Sequence, residues 1–117
     1  MNEPNKHKTI DYIEFPAKNI VATKRFYGDV FGWKFTDYGE DYVSFNDGKT
    51  TGGFDESDET AKHPLVVIYV ENLKEFETKI KSAGGEITKD IFEFPGGFRF
   101  HFADVNGNEL AVWSEKA

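Results

Sequence analysis

The chain has 117 residues, among them twelve Phe, five Tyr and two Trp but no cysteine, and a formal charge of −7. That length suits one domain with a real core. The missing cysteines exclude a disulfide framework, a thiolate metal centre and a cysteine nucleophile. The acidic balance argues against nucleic acid as a partner, because phosphate backbones need clustered Lys and Arg. No apolar run approaches the ~20 residues of a bilayer span, so no membrane partner is expected. The opening MNEPNKHKTI has no apolar signal region, which makes the cytoplasm the expected setting.

Residues 1–8 are polar and without periodicity, and read as a flexible tail. TIDYIEF (residues 9–15) has strand composition. Asn19 is placed to cap a helix with an apolar stripe at Thr23, Phe26, Tyr27, Val30 and Phe31. Gly32 follows where a left-handed cap wants no Cβ. Gly28 lies inside that helix, with no glycine-rich phosphate fingerprint around it. Short strands are then predicted over residues 33–37, 42–46 and 50–54, parted by the turn formers YGED and NDGK.

After the acidic loop DESDETAKHP the order begins again. LVVIYV (residues 65–70) reads as a strand, and Asn72 with Glu75 forms a capping-box pattern. Leu73, Phe76, Ile80 and Ala83 supply the helix's apolar stripe, and Gly84-Gly85 ends it. Strands follow over residues 86–91, 98–103 and 109–114. Laid over the first half at an offset of 53 residues, Asn72 falls on Asn19, Gly85 on Gly32 and Asp90 on Asp37. Solenoids and propellers generally need three or more units. Two units indicate a pseudo-symmetric pair of βαβββ modules, an α+β fold, at about residues 9–54 and 65–114 of a single domain spanning 9–117.

IEFPAKNIVATKRFYGDVFGWKF, VENLKEFETKIKSAGGEI and FADVNGNELAVW together resemble the vicinal oxygen chelate superfamily of glyoxalases, extradiol dioxygenases and bleomycin- or fosfomycin-type resistance proteins. The likeness runs from Thr9 to Ser114. It implies two βαβββ modules forming a curled mixed β-sheet around a cleft, and a homodimer. Metal-dependent members place a His or Glu-type ligand on each of four cleft strands. Carried over by position, those sites fall on Tyr12, on Leu65, on Ala111 and within TTGGF (residues 50–54). Leu and Ala cannot ligate, and neutral Tyr is a poor ligand for a divalent ion. No metal and no cofactor is therefore expected. A displaced site built from Glu14, His101 and Glu109 is the remaining route to one.

With the ligand positions that the resemblance implies facing the cleft, strand alternation sends Ile10, Tyr12 and Glu14 there and Ile13 and Phe15 beneath the helix. FRFHFA puts Phe98, Phe100 and Phe102 on one face and Arg99 and His101 on the other. The expected lining is Tyr12, Tyr42, Tyr69, Arg99 and Trp113 as ligand-binding residues, with His101 and Glu14 as candidate acid–base groups. The leading expectation is a metal-free small-molecule binding protein that sequesters a toxic or cationic compound, as resistance proteins do; the negative charge would attract a cation. The alternatives are a lyase, isomerase or dioxygenase with a non-standard metal site, a metal-free acid–base catalyst, and a dimeric module that regulates a partner.

Overall fold

The computed structural model describes residues 6–56 and 63–117. Most of the acidic loop and the first five residues of the tail lie outside that range. Ten elements follow in order: β1 (Thr9–Pro16), α1 (Ile20–Phe31), β2 (Lys34–Asp37), β3 (Tyr42–Asn46), β4 (Thr51–Asp55), β5 (Leu65–Tyr69), α2 (Leu73–Ser82), β6 (Glu86–Phe94), β7 (Gly97–Ala103) and β8 (Glu109–Ser114). They form two compact units, with Tyr12–Pro64 in the first and Leu65–Ala117 plus the segment up to Asp11 in the second.

The first unit is a mixed sheet in the order β2-β3-β4-β1. Its hairpins are antiparallel, and β1 closes the order by pairing parallel with β4, Tyr12 against Thr51 and Glu14 against Gly53. Asn19 caps α1 by accepting the Ala22 N–H at 2.9 Å. Gly32, at φ 73°, ends it with its N–H on the Gly28 carbonyl. The core beneath the helix is aromatic: Ile20, Val43, Phe45 and Phe54 are buried, with Phe15, Tyr27, Trp33 and Phe35 packed on them. Trp33 stacks between Phe45 at 4.6 Å and Tyr27 at 4.8 Å.

That core corrects the expected stripe of α1. Ile20 and Tyr27 face inward, whereas Phe26, Val30 and Phe31 are more than half exposed. The helix begins at Ile20, so the inward row runs Ile20, Thr23, Lys24, Tyr27 and on to Phe31, which stacks on Tyr27 and Trp33 at the exposed helix end, while Phe26 and Val30 turn outward with the 3.6-residue period. Gly28 needs no special explanation, since a Cβ there would make an ordinary 3.8 Å contact with Phe35.

The second unit repeats the topology. β6-β7-β8 is antiparallel, and β5 pairs parallel with β8. Leu73, Val70, Phe100 and Val112 form its buried core, joined by Phe76, Ile80, Phe98 and Phe102, as the α2 stripe and the alternation of β7 predict. β6 runs three residues beyond its expected end, to Phe94, and its register against β7 shifts between Ile87 and Lys89 and again between Lys89 and Phe92. Such irregularities re-aim side chains. Residues 7 and 8, read as tail, are tied to this unit: the Lys8 N–H donates to the Tyr69 carbonyl, and His7 Nδ1 accepts the Glu71 N–H.

Candidate functional site

In the first unit Tyr12, Glu14 and Tyr42 come together. Tyr42 Oη–H donates to Glu14 Oε2 at 3.0 Å, and the two phenolic oxygens stand 2.5 Å apart. A phenol has one proton. With that of Tyr42 given to the carboxylate, Tyr12 is the donor between the rings, so the chain runs Tyr12 to Tyr42 to Glu14. Burial, followed by the adjacent Glu14 carboxylate, pushes the Tyr42 phenol well above its ordinary pKa.

The chain owes its position to Gly53. Alternation puts Gly53 on the same face as Tyr12 and Glu14, opposite Gly52 and Phe54. A Cβ on Gly53 would lie 2.0 Å from Tyr42 Oη and 2.5 Å from Tyr12 Oη. The phenols thus occupy the volume that any side chain at 53 would need. Gly52 is equally constrained on the other face, where a Cβ would meet the Ile13 carbonyl at 2.2 Å and the Phe45 ring at 2.4 Å.

In the second unit the centre is His101. Its side chain is 12% exposed, and Nδ1 stands 3.3 Å from Glu109 Oε2, which also accepts from Thr88 Oγ1 at 3.1 Å. The carboxylate that engages the ring is that of Glu109. Nε2 is buried and has no hydrogen-bond partner among the described residues. Burial, followed by the Arg99 charge, lowers the imidazole's pKa against the opposing pull of Glu109. The ring is therefore neutral at pH 7. With Nδ1–H directed at Glu109, Nε2 carries the lone pair.

Aromatic rings flank this imidazole. Phe92 lies 5.9 Å from it, and the Arg99 guanidinium sits over Phe92 and Phe94, at 5.4 and 5.9 Å. Phe94 meets Trp113 edge-on at 5.9 Å, and Trp113 meets Tyr69 at 5.0 Å. The Trp113 indole N–H donates to both oxygens of Asp11, at 3.1 and 3.2 Å, and Tyr69 Oη–H donates to Glu115. Burial raises the Asp11 pKa despite the indole bond. Of the residues expected from sequence, Tyr69, Arg99, His101 and Trp113 gather in this group. Phe92, Phe94 and Asp11 are not among the expected residues, the first two because β6 continues beyond residue 91 to Phe94. Ile10, expected beside Tyr12, is 62% exposed.

The donors present do not suit a metal. Tyr12 is hydrogen-bonded to Tyr42, Ala111 is fully buried and like Leu65 has no donor atom in its side chain, and the phenols cover Gly53. Among the described residues no group of three or more His, Asp or Glu side chains could hold an ion. No described helix is long and apolar enough to cross a membrane.

A family model for the Glyoxalase/Bleomycin resistance protein/Dioxygenase superfamily matches residues 9–112. No match was found among curated proteins. Among solved structures, a hypothetical protein from Bacillus halodurans C-125 superimposes with a TM-score of 0.77 at 14% identity, covering 96% of this chain and 97% of that one. Methylmalonyl-CoA epimerase from Mycobacterium tuberculosis gives 0.68 at 10% identity, covering 97% and 92%. The Mn(II)-bound glyoxalase from Novosphingobium aromaticivorans gives 0.68 at 18% identity, covering 96% of this chain but 40% of that one. At these identities the likeness is one of fold.

Proposed function

The chain belongs to the Glyoxalase/Bleomycin resistance protein/Dioxygenase superfamily, and we propose that within it the protein binds a small organic molecule without a metal ion. The observation that carries this reading is the buried, unpartnered Nε2 of His101 beside the Phe92 ring. A buried acceptor left unmatched costs on the order of 1–3 kcal/mol, and native proteins leave few of them without a use. A ligand hydroxyl or N–H donating to Nε2 removes that cost, and the aromatic side chains give its carbon skeleton an apolar lining. Negative charge over the whole chain favours a neutral or cationic ligand in long-range approach. Sequestration of a toxic compound is the biological role this reading would serve.

A thermal-shift screen of phenols, aromatic alcohols and aromatic amines tests it. A ligand at a hundred times its Kd stabilises the native state by about 2.7 kcal/mol, an upward shift of roughly 10 °C for a domain of this size. The reading expects hits that disappear in His101→Phe, which keeps the ring volume and deletes the acceptor. Hits that survive that change, or stabilisation by divalent metal alone, contradict it.

The fixed tautomer favours a second reading, acid–base catalysis centred on His101. Nε2 would take a proton from a carbon acid beside a carbonyl and return it, with Glu109 holding the ring. The matching experiment follows deuterium uptake at that carbon by proton NMR in D2O. Exchange that needs His101 supports catalysis; binding without exchange leaves the protein a binder.

A further inference from the structure

The irregular stretch of β6 brings a lysine to the His101 site. Lys89 stands opposite His101 and Phe92 opposite Arg99, so a three-residue step on β6 spans a two-residue step on β7. In a regular strand Lys89 and Phe92 would point to opposite faces. The extra residue turns both to the face that holds His101 and Arg99. Lys89 Nζ lies over the Phe92 ring at 4.4 Å, and the same ring stands 5.9 Å from the imidazole. Lys24 and Lys79 pair with Asp37 and Glu75, whereas Lys89 makes no ion pair among the described residues. We infer that Lys89 is a second anchor of this site and that the ligand is an aromatic hydroxy acid. Its hydroxyl donates to His101 Nε2, its carboxylate meets the Lys89 ammonium, and its ring lies along Phe92 and Phe94. This rests on the reading that Nε2 receives a ligand donor, and adds the sign of the ligand's charge.

Charge decides between ligand classes. The Lys89 ammonium is near enough to the imidazole for its charge to oppose protonation of the ring. A cationic ligand donating to Nε2 would therefore sit against a like charge. A neutral ligand leaves the ammonium unmatched, whereas a carboxylate makes a charge-assisted hydrogen bond to it. The chain's −7 bears on approach from a distance. At contact, charges beyond the ~8 Å screening length count for little, and Lys89 outweighs them. Ladder partners on one face lie ~5 Å apart at Cβ, so the two ligand groups that His101 and Lys89 take must be close as well, as on adjacent carbons. Glu109 stays on Nδ1, which leaves Nε2 to the ligand.

Three probes share a phenyl ring and a hydroxyl and differ in charge: mandelate, mandelamide and 2-amino-1-phenylethanol. Titration calorimetry on the full chain compares them, with circular dichroism to confirm that each variant is folded. Mandelate is expected to bind about fivefold more tightly than the amide, the gain from one partly exposed ion pair, and the amine most weakly. Lys89→Gln should bring acid and amide to equal affinity. Lys89→Arg keeps the charge and should keep the preference. Equal binding of acid and amide by wild type, a preference for the amine, or an acid preference untouched by Lys89→Gln overturns the inference. In those cases the His101 reading still stands where His101→Phe abolishes binding. Binding of the probes that survives His101→Phe overturns both. A panel in which none binds also overturns the inference, and the His101 reading is then decided by the wider screen of phenols, alcohols and amines.

Discussion

His101 and Ala111 stand opposite each other in register across the β7–β8 ladder, an imidazole facing a methyl group. By resemblance position 111 is where metal-dependent relatives carry their last-strand ligand. A longer side chain there would come within a few ångströms of the imidazole, since ladder partners on one face lie ~5 Å apart at Cβ. The small residue leaves the face to His101, and Glu109, next along the same face, orients the ring.

The ring's titration follows from its neighbours. Histidine NMR should place the His101 pKa below the usual 6.5, with burial the larger cause and Arg99 the next. Arg99→Gln should raise it, and Glu109→Gln should lower it further, because the two charges pull in opposite directions. Movement the same way in both variants would refute the assignment.

Stability should carry the same signature. The unfolded imidazole takes up its proton near pH 6.5 while the folded one resists, so the unfolded state binds more protons as the pH falls. Stability is fully present above about pH 6.5 and is lost as the pH drops through the lowered folded value. Urea melts between pH 8 and pH 5 should show that loss, and His101→Gln should flatten it. An unchanged slope in the variant would assign the effect elsewhere.

Gly53 should tolerate no side chain while both phenols remain. Gly53→Ala is expected to cost about 1–3 kcal/mol through overpacking against Tyr42 and Tyr12. Tyr42→Ala removes both the phenol oxygen at 2.0 Å and the ring carbon at 2.4 Å, so the double variant should be less destabilised than the two single costs together. Strict additivity by urea denaturation would mean that the phenols do not occupy that space.

The phenol chain should also resist base. Tyr42 is expected to stay protonated above the ordinary tyrosine range, for burial first and the Glu14 charge second. Tyr69 is pushed up to about 12, chiefly by its hydrogen bond to Glu115. Absorbance titration near 295 nm should therefore lack the Tyr42 and Tyr69 contributions at pH 11, and Tyr42→Phe should leave the rise up to that pH unchanged. All five ionising normally would exclude the chain.

Much of this was legible in the sequence, for reasons that differ by residue. Asn19, Gly32 and Asn72 announce helix ends because capping is local chemistry, and the alternation of FRFHFA fixes two faces because a strand has period two. The outward turn of Phe26 and Val30 was not legible. Two aromatic rows compete on α1, and only the packing of Tyr27 against Trp33 and Phe54 decides between them. Phe92 reaches His101 across an irregular stretch of β6, and bulges leave no mark in hydrophobic pattern. Glu109 was visible as a neighbour of position 111, but its bond to His101 depends on pairing between strands that sequence spacing does not specify.

Elemental analysis of the purified protein, incubated with Zn, Ni, Mn and Fe salts and then desalted, tests the metal-free reading most directly. The account predicts only traces of each, far below one ion per chain. One retained ion per chain, lost when Tyr12, Glu14 or His101 is replaced, would contradict it.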